Sequence, residues 1–135
     1  FYRNYASPEN VCLELTERSA VVNFSTFFKR LKIFKDEGFK ISIDDLGSGY
    51  ASLSSIVELR PDFVKIDLHL VRNIHLDHVR QNLFKAIVEF CRESKISSIA
   101  EGVEIQEELD TLTALGADAC QGYLWGRPQP EPEWT

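Results

Sequence analysis

The sequence predicts an α/β fold: about five βα units forming the C-terminal part of a (β/α)8 TIM-like barrel, incomplete as given. Three observations carry this reading. Short apolar runs alternate with longer segments of helical period, and such alternation implies a parallel sheet. The runs end at Glu14, Asp44, Lys65, Glu101 and Gln121, with steps of 30, 21, 36 and 20 residues; a complete barrel of about 250 residues gives roughly 31 per unit. Each run also ends on, or contains, a polar side chain, and barrels place their sites at the C-terminal ends of strands. A self-contained doubly wound sheet fits the same alternation. The barrel is preferred because the sequence contains no methionine and so reads as a piece of a longer chain.

The elements follow from local pattern. Residues 11–15 form the first apolar run. A helix is predicted over 24–37, where Phe24, Phe27, Phe28, Leu31 and Phe34 recur at three- and four-residue steps, a stripe expected to pack on the sheet. Gly38 stops it in the C′ position. A strand over 39–43 runs into Asp44-Asp45 and a glycine-bearing loop at 46–50, followed by a short helix at 53–59. After Pro61, the run 63–66 reads as a buried strand interrupted by Lys65. A long helix is expected over 77–94, with Val79, Leu83, Ile87 and Phe90 as its apolar stripe and Phe84, Val88 and Cys91 beside it. A strand over 96–100 ends at Glu101. The last helix, 106–115, stops at Gly116, before a strand-like stretch at 117–123 and a tail bearing Pro128, Pro130 and Pro132.

Composition narrows the function classes. Fifteen basic against 21 acidic residues give a net charge of −6, and no Lys/Arg run offers a nucleic-acid footprint, so no DNA partner is expected. An anionic ligand would need cations to bridge it. No apolar run reaches membrane-spanning length and the N-terminus lacks the order of a secretory signal, which predicts a cytoplasmic setting. Cys12, Cys91 and Cys120 are odd in number, form no CxxC pair and sit among apolar neighbours, so they are expected as buried reduced thiols. His75 and His78 form an HxxH pair with no further ligand and are expected to face solvent; His69 carries no signal, and Gly47-x-Gly49 alone is a weak phosphate-loop pattern.

The chemistry lies in Glu14, Asp44, Asp45, Lys65, Glu101 and Gln121. Singly, each has an ordinary explanation. Asp44-Asp45 could cap a turn, Lys65 could pair with Asp67, and Glu101 could simply end a strand. Together, charged groups inside apolar strands cost several kcal/mol each, as an order of magnitude, unless they neutralise one another or bind metal. Four carboxylates to one lysine leave a deficit of positive charge, which hard cations such as Mg2+ or Mn2+ would correct.

Five ordered segments carry a family resemblance. Glu14-Leu15-Thr16-Glu17 resembles the ExTE motif of the EAL phosphodiesterases, and the segment from Asp44 to Leu53 resembles their DDFGTGYSSL. The run from Asp62 to Asp67 is similar to DxxKID, that from Ala100 to Glu104 to AEGVE, and that from Gln121 to Pro128 to QGYxxxRP. Leu46, Ser48 and Ala51 depart conservatively from the pattern. The resemblance implies a partial EAL domain over residues 1–135, with the EAL tripeptide and an early asparagine preceding this region. It implies that Glu14, Asp44, Asp45 and Glu101 ligate Mg2+ or Mn2+, two ions in the complete domain. Lys65, Glu101 and Gln121 would be catalytic, Lys65 orienting or deprotonating the attacking water. Glu17, Gly47 and Gly49 would support the loop after Asp45, which couples the metals to a homodimer contact. Asp67, Gln121, Arg127 and Pro128 would contact substrate. The activity implied is hydrolysis of cyclic di-GMP to linear pGpG, beneath an upstream sensory or GGDEF-type domain, with the fragment alone inactive and prone to dimerise or aggregate. One alternative is a catalytically silent cyclic-di-GMP receptor. An enolase-like barrel, with metal carboxylates and a lysine base, is disfavoured by the ordered motifs.

Overall fold

The computed structural model describes residues 7–16, 24–46 and 53–130. Among them the strands β1 (Cys12–Leu15), β2 (Lys40–Leu46), β3 (Phe63–Ile66), β4 (Ser97–Glu101) and β5 (Ala119–Gln121) form one sheet in sequence order, every neighbouring pair parallel. Helices α1 (Phe24–Asp36), α2 (Leu53–Leu59), α3 (Leu68–Val71), α4 (His78–Glu93) and α5 (Gln106–Ala114) connect them, with short 3-10 turns at Pro8–Asn10 and Ile74–Leu76. No helix is long and apolar enough to cross a membrane.

Strand alternation sorts the side chains onto two faces. Ile43 and Val64 pack with Leu46, Ile56, Cys91 and Ile96 in one buried cluster. Ile66 and Ala100 join Val71, Phe84, Val88, Val103 and Leu112 in a second. Each fully buried large side chain contributes about 1.5–3 kcal/mol. The opposite face of β1 to β4 carries Glu14, Ser42, Asp44, Lys65 and Glu101, so the core sits under the helices and the charges line the other side.

Several expectations are corrected. On α4 the core takes Phe84, Val88 and Cys91, while Val79, Leu83 and Phe90 are 77%, 53% and 41% exposed. The two stripes have the same period, and only contact with the sheet chooses between them. On α1, Leu31 is buried but Phe34 is exposed, its ring edge-on to Phe39 at 5.6 Å, and Phe27 and Phe28 are half-buried. The loop between β3 and α4 contains α3, capped by Asp67, and α4 itself is capped by Asp77, which accepts from the Val79 and Arg80 amides. The last strand is three residues long, shorter than the predicted 117–123. All three cysteines are free thiols, but only Cys91 is buried; Cys12 is exposed on the edge strand and Cys120 is half-buried. His78 is exposed as expected, whereas His75 is half-buried, with a buried Nδ1 that has no hydrogen-bond partner.

Candidate metal centre

The strand ends converge. β2 runs on through Asp44 and Asp45 to Leu46 instead of stopping at Ile43, and it does so through a bulge: Ile43 pairs with Val64 and Leu46 with Ile66, three steps on β2 against two on β3. Consecutive strand residues ordinarily point to opposite faces. Here Asp45 adopts φ 60°, a left-handed conformation that Asp tolerates better than most residues, and the extra residue turns both carboxylates to one rim. Asp44 Oδ1 accepts from the Asp45 amide at 2.9 Å. Oxygens of Asp44, Asp45 and Glu101 all lie within 4.8 Å of one another.

Lys65 stands in the middle of the cluster, its side chain 8% exposed and its Nζ 2.7 Å from Glu101, 3.0 Å from Glu14 and 3.5 Å from Asp44. Its partners are these three, not Asp67 as the local spacing allowed. Burial by itself would favour loss of the lysine proton, but the hydrogen bonds with Glu101 and Glu14 and the charges of Glu101 and Asp44 outweigh it, so the ammonium is held above its ordinary range. Glu101 is also shifted upward, which for a carboxyl favours the neutral form. Burial raises it to about 6, helped by its hydrogen bond and repulsion with Asp44 and opposed by Lys65. One ammonium does not balance the carboxylates around it. The donor set therefore fits hard divalent cations such as Mg2+ or Mn2+: carboxylate oxygens, clustered and short of positive charge.

The remaining candidates lie around this rim. Gln121 is exposed and pairs in register with Glu101 across β4 and β5. Asp67 is buried; its Oδ1 accepts from the His69 amide at 2.7 Å and lies 2.5 Å from His69 Nδ1, so it caps α3. Arg127 lies 5.1 Å above the Tyr123 ring and Pro128 is exposed. Glu17, Gly47 and Gly49 lie outside the described residues. The loops behind the rim are tightly packed: a Cβ on Gly102 (φ 74°) would come within 2.5 Å of Leu68 Cβ, and one on Gly122 within 2.1 Å of the Val103 carbonyl oxygen. Sequence reasoning missed the ion pair of Arg72 with Glu104 and the buried Glu108; a glutamate in the first turn of a helix was the available signal for the second.

A model of the EAL domain matches residues 1–128. The chain belongs to the EAL domain family. It is 40% identical to the cyclic di-GMP phosphodiesterase PdeB of Shewanella oneidensis over 120 residues, covering 89% of this chain and 14% of that protein. Klebsiella pneumoniae BlrP1 solved with manganese and cyclic di-GMP is 38% identical with a TM-score of 0.85, over 91% of this chain and 31% of that one. The BlrP1 complex with calcium and cyclic di-GMP is 39% identical with a TM-score of 0.83, over 90% and 31%. This EAL chain thus spans a minor part of the relatives it matches, and its five parallel strands form a partial TIM-like barrel.

Proposed function

We propose that this chain is the C-terminal portion of an EAL domain that hydrolyses cyclic di-GMP to linear pGpG with Mg2+ or Mn2+. The observation that carries the reading is Lys65 enclosed by Glu14, Asp44 and Glu101, with Asp45 brought to the same rim by the bulge. Glu14, Asp44, Asp45 and Glu101 would hold two ions. Bound there, the ions supply Lewis acidity at the phosphodiester and lower the pKa of bound water. Lys65, kept protonated by its carboxylate neighbours, donates hydrogen bonds and orients the attacking water or a phosphate oxygen. Gln121 positions water beside Glu101, and Asp67, Arg127 and Pro128 border the substrate. Glu17, Gly47 and Gly49 support the loop after Asp45.

The family resemblance adds the glutamate of the EAL tripeptide and a further asparagine to this donor set. The working protein is a cytoplasmic homodimer beneath a sensory or GGDEF-type domain. The relatives' manganese and calcium complexes with cyclic di-GMP support the ligand classes.

The test incubates the full-length protein with cyclic di-GMP and Mn2+ and follows pGpG. Turnover in the parent, with loss in Lys65→Ala and Glu14→Ala, is expected. Tight cyclic-di-GMP binding with no pGpG from the parent would instead make it a silent receptor, and undiminished turnover in both variants would refute the site.

A further inference from the structure

Glu108 is 1% exposed; among the described residues no cation bonds its carboxylate directly, although the Arg72 guanidinium is near enough to feel its charge. Burying a carboxylate is costly unless its oxygens are satisfied. Here both are. Oε2 accepts from the Glu104 amide at 3.0 Å and Oε1 from the Asn73 amide at 2.9 Å. The first bond is local, the reach-back of an early-helix glutamate that closes the start of α5. The second crosses 35 residues to a left-handed Asn73, φ 57°, in the loop between β3 and α4. One ion pair makes the same connection: Arg72 forms a two-pronged pair with Glu104 at 2.6 and 2.7 Å. Arg80, on α4, braces the loop after β3 alone, donating to the carbonyls of His69 and Arg72 at 2.8 and 2.5 Å.

These two loops leave the strands that carry Lys65 and Glu101. Glu104 lies three residues beyond Glu101, and the other loop begins at Asp67, two beyond Lys65. The loops touch directly where Gly102 meets Leu68.

We propose that Glu108 is a positioning residue that bolts the loop after β4 to the loop after β3 and so fixes Glu101 against Lys65 and the metals. The inference rests on reading Asp44, Asp45 and Glu101 as metal ligands. A mere helix cap would lower the stability of α5 and leave metal affinity untouched. A clamp changes both.

The experiment compares Glu108→Ala, Glu108→Gln and Asp118→Ala in the full-length protein, by calorimetric Mn2+ titration and by kcat and KM below each variant's melting transition. Asp118, an exposed carboxylate that also accepts two hydrogen bonds, is the control. It accepts at 2.8 Å from both the amide and hydroxyl of Ser98 at the opposite end of β4. Glu108→Ala is expected to weaken Mn2+ binding about tenfold, the scale for groups that hold a metal's ligands in place, and to lower kcat more than it raises KM. Asp118→Ala should lower the melting temperature and leave Mn2+ affinity at the parent value. Should Glu108→Ala fail to fold, Glu108→Gln, one acceptor short, is expected to show a smaller loss of the same sign. Parent-like Mn2+ affinity in the folded Glu108 variants, with the parent binding Mn2+, overturns the clamp alone. No Mn2+ binding by the parent overturns the ligand assignment beneath it.

Discussion

The two faces of the sheet are built on opposite principles. Toward the helices, Val64, Ile66 and Ala100 have no exposed surface and pack into apolar clusters. At the rim, alternate residues of the same strands place Glu101 beside other carboxylates that the single Lys65 ammonium cannot balance. One face holds the fold together; the other carries charge at a cost, as sites adapted to a ligand do. Substitutions on the two faces should therefore differ in sign as well as size.

The largest effect should come from removing metal. A chelator in excess is expected to abolish pGpG formation by the full-length protein. It should also lower thermal stability, because a ligand at 100 times its Kd contributes about 2.7 kcal/mol to the folded state; calorimetry with and without Mn2+ reads both. Next is the helix-facing side. Phe84→Ala should cost about 3–5 kcal/mol in urea unfolding with no change in metal affinity once folded.

Asp45→Asn sharpens the comparison most. Asparagine accepts the left-handed backbone and takes a negative charge out of the cluster with Asp44 and Glu101, so the metal-free variant should melt close to the parent while Mn2+ binding falls. A clear stability loss would mean that Asp45 serves the fold as well as the rim. The smallest effect concerns thiols. Burial raises the Cys91 thiol to about 11, and alkylation monitored by mass spectrometry should modify Cys12 in the native protein and Cys91 only after denaturation.

Much of this was legible in the chain. The limits of α2 and β3 follow from local apolar runs and breakers, and the stops of α1 and α5 from Gly38 and Gly116. The polar residues at the strand ends marked the rim because charge inside an apolar run needs a reason. Asp67 shows where that logic stopped: neighbouring Lys65 in sequence, it pairs with His69, because a short helix turns it away from the strand.

The sequence by itself determined the order and type of the elements and the residues available for the rim, since period, glycine positions and charge are local properties. Tertiary structure alone decided which of two equivalent stripes of α4 was buried, which partners Lys65 took, and that Asp44 and Asp45 face the same way. Each of those depends on how one strand's hydrogen bonds register against its neighbour and which surface a helix meets, interactions between residues distant in the chain that no local pattern encodes.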